Sequence, residues 1–161
     1  MSAMATLEAC NYFEVVSEVG NTWDQLKMIP SHDEEFGVTL FKKMFEIAPD
    51  EWNVFEFSAE DVENKSDKFL SFAKKYFRML DMAVHLLGPD MEIVQEQMQE
   101  LGVTHQRYGV KSLHYDIMGE ALVFALSAIL GEQRCTEETK DAWSKVYAFM
   151  TESMLEGAAA M

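Results

Sequence analysis

At 161 residues the chain has room for one domain, and its 48% apolar content is enough to bury a sizeable core. The formal net charge of −15 sets its surface against phosphate backbones and anionic membranes, which excludes nucleic acid and membrane as partners. Cys10 and Cys135 form no CxxC pair, which argues against a zinc site or a disulfide framework and for two reduced thiols.

Three prolines and eight glycines are few breakers, and Leu, Met, Glu, Ala and Lys favour long helices. A first helix is predicted from Thr6 to Ile29, with Val15, Val16, Val19, Trp23 and Leu26 on one buried face and Pro30 ending it. Ser31 reads as an N-cap, with Glu34 completing a capping box, ahead of Phe36, Leu40, Phe41, Met44 and Phe45. This second helix stops near Ala48, because Pro49 disfavours helical geometry before it. A short helical turn is expected over Asp50–Phe55, and the polar, acidic stretch Phe57–Ser66 reads as a loop.

The clearest helix runs from Phe69 to Leu87. Phe69, Ala73, Tyr76, Phe77, Leu80, Ala83, Val84 and Leu87 recur at three- and four-residue steps, and Phe72 and Met79 widen the stripe. Gly88-Pro89 ends it. Met91–Gln106 forms a further helix with Ile93, Val94, Met98 and Leu101 inward. Ser112–Leu130 is apolar on most sides towards its end and is therefore expected at the centre. Thr136 caps the last helix, which carries Trp143, Val146, Tyr147, Met150 and Met154. No strand and no repeat is visible. The expectation is one all-α domain over residues 1–161, with residues 1–10 as an N-terminal extension and 157–161 as a C-terminal tail.

No basic start precedes an apolar run, so no secretory signal is read. The longest strongly apolar stretch, Ala121–Leu130, is about half of a membrane span. A cytoplasmic protein is expected.

The chemistry centres on four histidines, His32, His85, His105 and His114; neither an HExxH motif nor an EF-hand loop is present. His105 stands out by its surroundings. It lies in Leu101-Gly102-x-x-His105, followed by Gly109-Val110 and then Gly119-Glu120-x-Leu122. This order resembles the proximal region of globins, especially the neuroglobin-like and single-domain bacterial branches. Phe41–Asp50 resembles the second globin helix and its turn, Phe55 stands where globins place the phenylalanine that stacks on haem, and Ala142–Tyr147 resembles the start of the last helix. The resemblance covers Trp23 to Met154.

It implies a globin fold of seven to eight helices, three over three, around haem b (iron protoporphyrin IX). His105 is then the iron ligand, and a proximal histidine in globins is a standard mode of haem ligation. The alternative for His105 is a helix C-terminal histidine interacting with the dipole. The implied pocket comprises Phe41, Phe55, Phe72, Lys75, Tyr76, Leu101, Val110, Tyr115 and Met118, with Lys74, Lys75, Arg107 and Lys111 as partners for the propionates.

On the distal side the chain departs from the family. Phe72 stands where a distal His or Gln is usual, so ligation from that position is excluded and a five-coordinate or water-bound iron is expected. O2 as a ligand carries partial negative charge and needs a donor. Tyr76 is the candidate, with Lys75 reaching in from the edge; the alternative for Tyr76 is core packing with its hydroxyl bonded elsewhere.

The implied function is reversible binding of O2, CO or NO for storage or transport, as a monomer or homodimer. The alternatives are a gas or redox sensor acting through a separate partner, or NO dioxygenation, nitrite reduction or weak peroxidase activity. These enzymatic roles need an external reductase.

Overall fold

A computed structural model describes residues 2–9 and 11–160. Among them are eight helices and no strands: α1 (Ala3–Ala9), α2 (Tyr12–Lys27), α3 (His32–Ile47), α4 (Ala59–Glu63), α5 (Asp67–Leu86), α6 (Met91–Arg107), α7 (Ser112–Leu130) and α8 (Glu137–Ala159). Helices α2, α5 and α6 contact one another in sequence and lie against a second set, α3, α7 and α8. This is the all-α, three-over-three arrangement.

The long helices lie where the apolar periodicity puts them, and the differences fall at helix ends and short elements. The first expected helix is two. Asn11 takes an extended conformation and its side chain accepts from the Glu14 N–H at 3.3 Å, starting α2 afresh. The expected N-terminal extension is α1, docked on α8 with Leu7 fully buried. The expected C-terminal tail is partly helical, because α8 continues to Ala159. Cys10 lies outside the described residues, and Cys135 is a buried free thiol whose pKa burial pushes up.

The capping box expected at Ser31 does not form. Ser31 is left-handed, with φ 58°, and makes no side-chain cap; the Asp33 carboxylate accepts from the Glu34 N–H instead. A genuine box lies where a loop was expected. Ser58 and Asp61 cap each other reciprocally at the start of α4, at 3.2 Å and 2.8 Å. Conversely, Asp50–Phe55 is not helical. It is a series of turns pinned by the Trp52 indole, which donates to the Met44 carbonyl at 3.1 Å. Met79 and Ile93, expected inward, are exposed.

Helix α7 is long and apolar enough, by length and composition, to cross a membrane, although its strongly apolar core looked too short for one. Here its apolar residues pack against α3 and α8. The core beside it is aromatic. Trp23 stacks on Phe77 at 4.7 Å and meets Phe36 and Trp143 at 5.8 Å and 5.7 Å. Each buried indole also has an acceptor: Trp23 donates to Asp81 at 2.7 Å and Trp143 to Thr22 at 2.8 Å. Trp23→Ala is expected to cost about 3–5 kcal/mol in urea unfolding, because it removes the ring shared by α2, α3, α5 and α8. A loss below about 1 kcal/mol on the same scale would contradict this account of the core.

Candidate functional site

The site is built from two walls. One is the α3–α4 connection and α5. Phe41, fully buried on α3, has ring contacts at 5.6 Å with each of Phe55, Phe72 and Tyr76. Phe57 and Phe69, which sequence reasoning did not assign to the site, complete this cluster at 5.4 Å and 5.7 Å from Phe41. Phe55 is held by stacking on Trp52 at 5.6 Å. Phe55, Phe72 and Tyr76 are only partly buried. Lys75 is exposed on α5.

The other wall is the end of α6 and the start of α7. His105 lies in the last turn of α6, where Gly109, at φ 87°, ends the helix. Its Nδ1 is 3.2 Å from the Tyr115 hydroxyl, while Nε2 has no hydrogen-bond partner among the described residues. Burial lowers the pKa of His105 below its ordinary 6.5, favouring the neutral imidazole that a metal requires. Burial likewise pushes Tyr115 up to about 12, so its phenol stays neutral. Leu101, Val110 and Met118 are half-buried and pack against the core, again with surface left uncovered.

The start of α7 is fixed by His114. Its Nδ1 accepts from the Lys111 N–H at 2.8 Å, so the proton sits on Nε2 and is donated to the Glu51 carbonyl at 2.8 Å. This ties the α3–α4 connection to the α6–α7 turn, and so joins the two walls. Tyr147 on α8, also unassigned from sequence, donates to the Tyr115 carbonyl at 2.8 Å. Burial raises its own pKa well above 10, and the nearby phenols of Tyr76 and Tyr115 raise it further. Burial alone raises the pKa of Tyr76, and its hydroxyl has no hydrogen-bond partner among the described residues.

The other two histidines are occupied elsewhere. His32 is half-buried, 2.9 Å from the Ile29 carbonyl and against Phe77; His85 is exposed and 2.7 Å from the Asp81 carbonyl. No group of three or more His, Cys, Asp or Glu that could hold a metal exists among the described residues. Lys74, Arg107 and Lys111 are exposed like Lys75, and none of the four has an ion pair among the described residues.

The donor set fits a flat, apolar, metal-centred ring. One imidazole, its charge disfavoured by burial, offers an unpartnered nitrogen, partly buried apolar residues stand on α5, α6 and α7, and exposed cations are available for peripheral carboxylates. Residues 38–154 match the Globin family model. The chain is 31% identical to a neuroglobin of Tetraodon nigroviridis, covering 86% of this chain and 87% of that one. It is 34% identical to an anaerobic nitrite reductase of Brassica napus, covering 80% of each, and 29% identical to the same-named protein of Gossypium hirsutum, covering 84% and 86%.

In the metal-free protein the His105 imidazole is expected to titrate below 6.5 by NMR. The unfolded chain then takes up its proton first, so folding stability falls as pH drops below 6.5 towards the folded value. His105→Gln flattens this part of the acid limb. A midpoint at or above 6.5 would contradict the burial argument.

Proposed function

The chain belongs to the globin family, and from that premise we propose that it takes iron protoporphyrin IX on His105 and binds O2 reversibly, with CO and NO as further ligands. Haem-based gas binding is the property of the family; the choice of O2, the storage or transport role and the residues below are our reading. The observation that carries it is the half-buried imidazole of His105, with Nδ1 beside Tyr115 and Nε2 unpartnered among the described residues.

Bound haem supplies an iron with an open position for a diatomic gas. The chain's residues do the rest. Ligation through Nε2 would require the proton on Nδ1, whose N–H would then donate a hydrogen bond to the Tyr115 phenol oxygen. A neutral phenol is a weaker acceptor than a carboxylate, so the imidazole keeps its proton. Phe41, Phe55 and Phe72 exclude water from the distal side. Phe72 offers no ligand, which leaves the iron five-coordinate or water-bound. Tyr76, in ring contact with Phe41, is the donor to a gas ligand that gains negative charge. Leu101, Val110 and Met118 flank the ring on the proximal side. Lys74, Lys75, Arg107 and Lys111 hold the propionates, and Lys75 is also long enough to reach in from the pocket edge. We place this protein in the cytoplasm.

A second reading, nitrite reduction with electrons from an external reductase, is favoured by two relatives that carry the name anaerobic nitrite reductase. Anaerobic turnover of nitrite with an added reductant separates it from carriage alone.

Stopped-flow measurement of O2 release tests the main reading. One charge-assisted hydrogen bond contributes about 1.5–3 kcal/mol, so Tyr76→Phe should speed dissociation about ten- to a hundred-fold. An unchanged rate would remove Tyr76 from the distal role.

A further inference from the structure

Helices α6 and α8 meet backbone to backbone, and glycine makes this approach possible. A Cβ added at Gly102 would lie 1.9 Å from the Met154 carbonyl oxygen and 2.5 Å from its carbon. A Cβ added at Gly157 would lie 2.1 Å from the Gln99 carbonyl oxygen and 2.6 Å from its carbon. Main-chain atoms cannot swing aside as the end of a flexible side chain does, so any residue larger than glycine must part the helices.

The two contacts form an antiparallel register. Gln99 meets Gly157 and, three residues on, Gly102 meets Met154. One more step of the same length along α6 reaches His105. Residues three apart share a helix face, so His105 stands one turn beyond a contact with no slack in it.

We infer that Gly102 is a positioning residue for the iron ligand: its missing side chain lets α6 sit close enough to α8 to set the depth from which His105 reaches the metal. The inference rests on the haem-binding reading of His105. Restoring carbon–oxygen contact at ordinary van der Waals distance would need a separation of roughly 1.5 Å. Metal–ligand distances tolerate about 0.2 Å, so the displacement far exceeds what the bond absorbs without distortion. Helix α6 is also the partner that must move. It packs mainly on α8 and barely touches α5, whereas α8 is held by α1, α2 and α7 as well.

Resonance Raman spectra of the ferrous haem-loaded protein without gas test this through the iron–histidine stretching band. Gly102→Ala should shift or broaden the band. The same substitution in a His105→Gly background, with free imidazole supplied as the ligand, should leave the band unchanged, because that ligand is no longer tied to α6. A merely structural role would lower the melting temperature without moving the band in the intact chain. That result, or an equal shift with free imidazole, would overturn the inference. If Gly102→Ala does not fold, Gly157→Ala pulls on the same contact: a shift that vanishes with free imidazole supports the inference, and an unmoved band overturns it. Absence of the band from the unsubstituted protein would instead overturn the ligation by His105 itself.

Discussion

A histidine that is to hold a metal must be neutral, dry and aimed, and these conditions meet at the 3.2 Å approach of His105 Nδ1 to the Tyr115 hydroxyl. Burial keeps both groups uncharged. The contact also fixes the ring's rotation, because the second nitrogen must then point away from α7. Much of the surrounding structure serves to bring the end of α6 to the start of α7 in this orientation.

The supporting interactions are mostly polar groups placed at helix ends. His114 reaches back to the Lys111 N–H and across to the Glu51 carbonyl, so one imidazole fixes two connections. Trp52 seats the same connection on the Met44 carbonyl, and Phe55 stacks on it. Tyr147 secures Tyr115 from α8 and lies so close to Gly119 that a Cβ there would sit 2.6 Å from its ring. Rigid scaffolding around a functional ligand is what precise positioning demands. The aromatic cluster around Phe41 supplies an apolar wall, in which the Tyr76 hydroxyl is a polar group without a hydrogen-bond partner among the described residues.

Much of this was legible in the sequence because apolar periodicity reports which face of a helix is buried. It located α5, α6, α7 and α8 to within a few residues, whereas His105 stood out only through the resemblance of its surroundings to globins. It failed where a local polar bond outweighs the pattern. The apolar stripe runs past Asn11, yet that side chain restarts the helix. Ser31 has the composition of a cap, but its left-handed backbone denies the geometry. Ser58 and Asp61 form a real capping box in a stretch whose acidity suggested a loop. The roles of Tyr147 and Gly102 depend on which helix lies opposite, and no local window contains that. The short spacing from Lys111 to His114, by contrast, did carry a signal: a polar residue in the first turn able to reach back to the cap.

Titration of the metal-free protein with hemin decides whether the imidazole of His105 ligates haem iron. One hemin per chain is expected to bind with a sharpened Soret band, and His105→Ala is expected to lose axial ligation that added imidazole restores. A spectrum indistinguishable from free hemin, or one that His105→Ala leaves unchanged, would contradict it.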